Sequence, residues 1–416
     1  MPEHRLALLG VGEELLAGDV VDTNSPWIAR RARQSGWRVV DVAIVGDDRA
    51  RIRAAIERAA TLADAVVVTG GLGPTHDDLT RFGVADAFGL GIERREELVE
   101  HLHAVMAGFG RAVKDTNLQQ CDVPAGATVL PNPNGTAAGF LVRGALANGT
   151  RDDLPVACLP GVPREMRPMA EAVLDGPLAT GTRREARTLR LFGPTESSLA
   201  EQIAPILERA PARGVEVGIT ASGGVLSVTG RGTDRAAVDA VVEQVRATMG
   251  PTVFGEGDET LAVVVVGLLR ARGATVTTAE SCTGGLLAGA ITSVAGSSDC
   301  FEVADVTYAD TAKRERLGVP AALIEAHGAV SEDVVRAMAE GQRARTGADW
   351  ALSVSGVAGP GGGSPDKPVG TVWLGLCGPG GTEARRYRWR GPRDVVRARS
   401  VLGALDMLRR RLIADA

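Results

Sequence analysis

Apolar and polar residues alternate along this chain in two rhythms, one of period two and one of helical period, and the rhythms take turns. Residues 5–11, 38–45 and 65–69 are apolar runs short enough for buried strands. Between them, 49–63 places Ile52, Ile56 and Leu62 near one helix face. Thr23, Asn24 and Ser25 ahead of Pro26 supply a helix N-cap and first turn, and Gly36 supplies its stop. Strand and helix in alternation predict a mostly parallel, doubly wound α/β sheet.

From residue 176 to 257 the units shorten. Strand 189–192, helix 196–208, strands 215–220 and 225–230 and helix 234–249 predict a small α+β module, bounded by Pro177 and by Gly255 and Gly257. The last part opens with a helix over 259–272 and a strand over 275–278, and closes with a helix from about Arg393. In that helix Val401, Leu405, Leu408 and Leu412 recur at spacings of 4, 3 and 4, a stripe that faces either the chain's own core or a second copy. The expected organisation is three parts, 1–175, 176–257 and 258–416.

Composition agrees with several domains and narrows the partners. A chain of 416 residues exceeds what one core usually holds. A net charge of −5 gives no polyanion-binding signal, so nucleic acid is not an expected partner. The longest apolar run, 261–266, is far below the roughly 18 residues that span a bilayer, and no stretch resembling a signal peptide opens the sequence. Five scattered cysteines without a CxxC pair read as reduced thiols. A cytoplasmic protein without membrane contact is the expectation. Of 46 basic residues only Lys114, Lys313 and Lys367 are lysines, and arginine does not serve as a base near neutral pH.

Two loop segments carry candidate chemistry. TAESCTGGLLAG (278–289) puts Ser281 after a strand and before a Thr-Gly-Gly helix start, where free N–H groups suit an oxyanion or phosphate. No histidine lies nearby, which leaves Lys313 in VTYADTAK (306–313) as the candidate base. The plainer alternative makes Ser281 an N-cap and Lys313 a surface charge. Cys282 is the rival nucleophile, although a cysteine without a visible base is more often a small buried hydrophobe. SGVAGPGGG (355–363) adds a glycine-rich turn.

In the first part, TGGLGPTHDDLT (69–80) follows a strand and opens a helix. Its glycines suit close backbone approach to phosphate. Asp77 and Asp78 suit either a divalent cation such as Mg²⁺ or simple helix capping. The segment is neither a Walker A loop nor GxGxxG, so kinase and dehydrogenase readings recede. His101 and His103, two apart on a predicted helix, do not face each other and are set aside as metal ligands.

TAESCTGG, HGAVSE (327–332), SGVAGPGGG and KPVGTVW (367–373), in this order, resemble the C-terminal domain of the CinA family, which also exists alone as nicotinamide mononucleotide deamidase. GEELLAGDVVDTNSPWIARR (12–31), TGGLGPTHDDLT, NPNGTAAGF (132–140) and LPGVPREM (159–166) resemble the family's N-terminal domain, similar to MoaB-type molybdopterin-binding proteins. The middle module resembles the family's KH-like insert but has no GxxG, so the RNA-clamping loop is missing.

The resemblance implies a Ser/Lys dyad of Ser281 and Lys313 with Tyr308 beside it, converting nicotinamide mononucleotide to nicotinate mononucleotide and ammonia without a cofactor. Thr283, Gly284, Gly285, Gly356, Gly359 and Arg393 would then bind substrate, with N–H groups at 282–285 holding the oxyanion. For the N-terminal part it implies metal-dependent hydrolysis of ADP-ribose. There Asp22, Asn24, Gly70, Gly71, Gly73, Thr75, Gly135 and Thr136 would bind the nucleotide, and Asp77, Asp78 and Glu165 a divalent metal. Departures from the family pattern are Glu13 for aspartate, Ala304 and Asp305 for Gly-Gly or Arg-Gly, and Ala309 and Asp310 for Ser-Asn. Two carboxylates near Lys313 are expected to favour its charged form and weaken deamidation. The alternatives are a ligand-binding or scaffold protein linked to competence or DNA damage, its amidase silent, and, on fold analogy alone, a molybdenum-cofactor enzyme. A homodimer is expected from the C-terminal stripe.

Overall fold

The structure is a computed structural model and describes residues 4–414. It divides into two compact units, Met1–Glu185 and Ala186–Ala416.

In the first unit the elements run β1 (His4–Val11), α1 (Glu13–Ala17), α2 (Asn24–Gln34), β2 (Trp37–Val45), α3 (Arg49–Leu62), β3 (Ala65–Thr69), α4 (Thr80–Phe88), β4 (Ile92–Arg94), α5 (Glu96–Gly108), β5 (Asp122–Pro124), β6 (Thr128–Leu130), β7 (Gly139–Gly144), β8 (Leu154–Leu159) and α6 (Pro163–Asp175). Six strands form one sheet in the order β2-β1-β3-β8-β7-β6, with β2, β1, β3 and β8 parallel and β7 and β6 antiparallel. β3 is buried at every residue because α3 and α4 cover one face and α2 and α6 the other. After β1 the chain builds outward to β2, then returns to the far side as β3. The strand order therefore reverses at β1 and β3, where open α/β sheets place their ligands.

The second unit opens with β9 (Glu185–Leu191), α7 (Glu196–Arg209), β10 (Glu216–Ser222), β11 (Val225–Gly232), α8 (Arg235–Met249) and β12 (Val253–Glu256), whose strands order as β10-β11-β9-β12. It continues with α9 (Leu261–Arg272), β13 (Val276–Glu280), α10 (Leu286–Thr292), β14 (Phe301–Val306), α11 (Asp310–Leu317), α12 (Ala321–His327), α13 (Glu332–Thr346), β15 (Trp350–Gly356), β16 (Thr371–Gly378), β17 (Gly381–Arg388) and α14 (Arg393–Ala414). Its second sheet orders as β14-β13-β15-β16-β17, and the parallel strands β13, β14 and β15 reverse order at β13 and β15. The residue-257 boundary expected from sequence lies inside this unit. Phe192, Val225 and Phe254 share a core with α9 and α14, and the buried Arg409 donates to the carbonyls of Pro251 and Val253.

The stripe on α14 faces inward. Val401, Leu405, Leu408 and Leu412 are all buried in that same core, which removes the stripe as a reason to expect a homodimer. Among the described residues no helix is long and apolar enough to cross a membrane.

Candidate functional sites

At the switch point of the first sheet, a cavity of about 570 Å³ opens beyond the carboxyl ends of β1, β3 and β8. Val11 and Gly12, Thr69 to Gly71, and Pro160 and Gly161 form its floor. Gly70 takes φ +96°, and a Cβ there would run into the Val11 carbonyl, so only glycine lets the two strand ends come this close.

The loop after β3 is held by its own side chains. Asp78 accepts from the N–H of Gly73 and of Thr75, both at 2.7 Å, and from the Thr75 hydroxyl at 2.5 Å. Arg81, 1% exposed, donates to the carbonyls of Leu72 at 2.7 Å and Asp78 at 3.1 Å. Two expectations change as a result. The N–H groups of Gly73 and Thr75 hold a carboxylate rather than waiting for phosphate, and Asp78 braces the loop rather than standing free as a metal ligand.

Glu165 is likewise engaged, accepting from Asn132 Nδ2 at 2.8 Å. Gly135 lies under it with no room for a Cβ and does not line the cavity, so it acts through packing. Thr136 lines the cavity and donates to Gln120 Oε1 at 2.7 Å. His101 meets the Gly135 carbonyl at 3.2 Å, a structural contact.

Asp22, Asn24 and Asp77 all line the cavity, together with Glu14 and Asp47, which the sequence reading missed. Burial pushes the Asp47 carboxyl above its usual range against the N–H of Glu13, and the charges of Glu14, Asp77 and Asp78 add to the rise. Asp47 follows a strand and a glycine in VGDD, the same strand-end context that singled out the TGG loop. Among the described residues no three Asp, Glu, His or Cys side chains converge as a metal cage, so Asp77, Asp78 and Glu165 do not form one. The donor set still fits a hydrated divalent ion such as Mg²⁺. That ion keeps several waters and takes one or two carboxylates plus substrate phosphates, and Asp47 and Asp77 are available for this.

The second site sits at the other switch point. Ser281 follows β13 directly, and its N–H donates to the Val354 carbonyl of β15 at 2.9 Å. The chain does not enter a helix at once: Gly284 and Gly285 take φ +60° and +93°, and α10 begins at Leu286. Glu280, fully buried, accepts from the N–H groups of Gly285 (3.0 Å), Leu287 (3.0 Å) and Ala288 (2.8 Å). The N–H of Gly284 donates to the Ser281 carbonyl at 3.1 Å. An oxyanion hole spanning 282–285 is thereby reduced to the N–H groups of Cys282 and Thr283.

Lys313 is not a surface charge. It is 1% exposed, donates to the Tyr308 carbonyl at 3.2 Å and lies 3.4 Å from Asp310 Oδ1. No hydrogen bond joins it to Ser281 among the described residues. Asp305, the other expected carboxylate neighbour, instead pairs with Arg316 at 2.6 Å and with Arg345. Tyr308 is exposed, and its hydroxyl accepts from Arg393 Nη2 at 2.8 Å, while Arg393 Nη1 donates to the Gly359 carbonyl at 2.9 Å. One arginine at the start of α14 thus gathers the β14 and β15 loops. Arg397, one turn on and missed in sequence, donates to the Thr283 carbonyl at 2.7 Å and ties down the Ser281 loop. Gly356 ends β15 where a Cβ would sit 2.7 Å from Val372.

Burial pushes the Cys282 thiol up to about 11, an effect that Arg393 and Arg397 only partly offset. The thiolate therefore forms only as pH approaches that value, and a neutral thiol is a poor nucleophile. Iodoacetamide at neutral pH is expected to leave Cys282 unmodified by peptide mass.

Residues 258–412 match the CinA C-terminal domain family, 186–255 the damage-inducible protein CinA KH domain and 7–180 the probable molybdopterin binding domain. A CinA-like protein of Anaeromyxobacter dehalogenans is 45% identical over 97% of this chain and 99% of its own length. The chain belongs to the CinA family. A putative competence-damage inducible protein of Symbiobacterium thermophilum is 43% identical, covering 98% of each chain. The crystal structure of competence/damage inducible protein CihA from Agrobacterium tumefaciens matches 37% of this chain and 93% of its own, at 42% identity and a TM-score of 0.36. The fold class is accordingly that of the CinA family: a MoaB-like α/β domain, a KH-like module and the CinA C-terminal domain.

Proposed function

We propose that this CinA-family protein is a bifunctional hydrolase of pyridine nucleotides, deamidating nicotinamide mononucleotide in its C-terminal domain and cleaving ADP-ribose in its N-terminal cavity. The observation that carries the first half is a buried lysine held against the loop that follows β14, the strand paired with serine-bearing β13, with Arg393 joining Tyr308 of that loop to Gly359.

In this reading Ser281 Oγ attacks the carboxamide carbon and gives its proton to the Lys313 amine. The N–H groups of Cys282 and Thr283 hold the tetrahedral oxyanion. As the C–N bond breaks, Lys313 returns the proton to the departing ammonia. Water then cleaves the acyl-serine, so amide plus water gives carboxylate plus ammonia. Lys313 has to turn toward Ser281 for this step, because its present contacts are Tyr308 and Asp310. In this reading Arg393, exposed at the start of α14, would meet the substrate phosphate in exchange for its contacts with Tyr308 and Gly359.

For the N-terminal cavity, a divalent cation held by Asp47 and Asp77 would neutralise and polarise pyrophosphate oxygens. Gly70 and Gly71 let the chain pass close to the phosphates, and Thr136 presents its hydroxyl at the rim. Formation of AMP from ADP-ribose only with added Mg²⁺ or a similar ion supports this half. Equal cleavage in chelator sinks it.

The contact between Lys313 and Asp310 favours a second reading, a ligand-binding CinA protein whose amidase is silent. A carboxylate 3.4 Å from the amine pairs with the group that the mechanism needs at Ser281. Asp310→Asn, which removes that ion pair, is therefore expected to raise ammonia release by about three- to tenfold. Absence of ammonia from both proteins supports the silent reading.

A further inference from the structure

Two oxygens bordering the N-terminal cavity are oriented and lack donors. Asn24 Nδ2 donates to the Gly161 carbonyl at 2.7 Å, which fixes the amide with Oδ1 at its other end. That Oδ1 is buried without a hydrogen-bond partner, in a residue only 9% exposed that lines the cavity. Two residues earlier, Asp22 accepts the N–H groups of Asn24 at 2.9 Å and Ser25 at 3.0 Å through Oδ1. Its Oδ2 has no partner among the described residues. Each side chain is pinned by one atom and offers the other.

The rest of the wall has the same polarity. Glu14, Asp47 and Asp77 line it, and no lysine or arginine does. A bare phosphate is repelled by such a wall, whereas a hydroxyl or amine is attracted because it brings donors. Buried acceptors in native proteins find donors, and a ligand that brings its own hydroxyls can take the place of water at both oxygens. An exocyclic amine presents both hydrogens from one nitrogen, but a cis-diol presents two O–H groups on adjacent carbons, which suits two acceptors on separate side chains.

We propose that Asp22 Oδ2 and Asn24 Oδ1 accept hydrogen bonds from the cis-diol of a ribose, seating that sugar against the start of α2 while the pyrophosphate lies toward the Gly70 loop. The inference rests on reading this cavity as a nucleotide-pyrophosphate site, and it specifies which part of the substrate is recognised and by which atoms. Either the nucleoside ribose or the terminal ribose phosphate supplies the diol.

Calorimetric titration of the full chain with Mg²⁺ present separates these cases, using AMP against 2′-deoxy-AMP and ribose 5-phosphate against 2-deoxyribose 5-phosphate. One of the two pairs is expected to show about 10- to 100-fold tighter binding of the diol, and the pair that does identifies the ribose. Asp22→Asn, which keeps an oxygen for the cap and turns the free acceptor into a donor, is expected to erase that preference. Equal affinity within both pairs in the unaltered protein overturns the inference and leaves the pyrophosphatase reading standing. Failure of all four ligands and of ADP-ribose to bind overturns both. The ligand pairs are compared on the unaltered protein, so a poorly folded variant does not decide the outcome.

Discussion

Ser281→Ala is expected to lower ammonia release from nicotinamide mononucleotide by about 10⁴-fold or to background, while AMP formation from ADP-ribose continues at its original rate. The serine hydroxyl stands at the end of β13 beside the N–H groups of Cys282 and Thr283, and the neighbouring Cys282 cannot substitute because burial keeps its thiol protonated. The effect on fold is small: the backbone bond from residue 281 to Val354 survives the substitution. Ammonia assay and nucleotide chromatography on the same preparation check the result. Loss of both activities together would contradict two independent sites, and undiminished deamidation would remove Ser281 as nucleophile.

Glu280→Ala is expected to have the largest effect on stability, about 3–5 kcal/mol, lowering the Tm of the second unit by about 10 °C. Glu280 is fully buried, and its carboxylate accepts three backbone N–H groups at the start of α10. Alanine leaves all three without an acceptor and opens a void beneath the Ser281 turn. Glu280→Gln keeps one carbonyl oxygen and is expected to fall between. Calorimetry on the three proteins gives the order Glu, Gln, Ala, and an alanine variant as stable as the original would show that water replaces the carboxylate without loss.

Much of the architecture was legible because it rests on local periodicity. The strands at β1, β2 and β3 and helix α3 were expected to within a residue or so at each end, since apolar runs and helical spacing are written in adjacent residues. Ser281, Lys313 and the TGG loop were singled out because unusual residue types stand at strand ends. What escaped was everything set by contacts across sequence. Glu280, beyond the end of the strand expected over 275–278, drew no notice until the chain folded its carboxylate under α10. Arg397 gave no signal beyond lying four residues after Arg393. Asp78 and Glu165 carried the right chemistry for metal, but the loop amides and Asn132 reached them first. Asp47 had a strand-end signal that was overlooked. The stripe on α14 fitted a dimer and a core equally well, and only the placement of α9 beside it settles on the core.

The central claim, a Ser/Lys amidase in a CinA-family chain, is tested most directly by ammonia release from nicotinamide mononucleotide by the full chain across neutral to alkaline pH, beside Lys313→Arg. Arginine keeps the positive charge but cannot accept the serine proton. The expected result is activity in the unaltered protein and none in the variant at any pH. Equal activity in the two proteins would contradict Lys313 as the base, and no activity in either would leave the C-terminal domain a binding module.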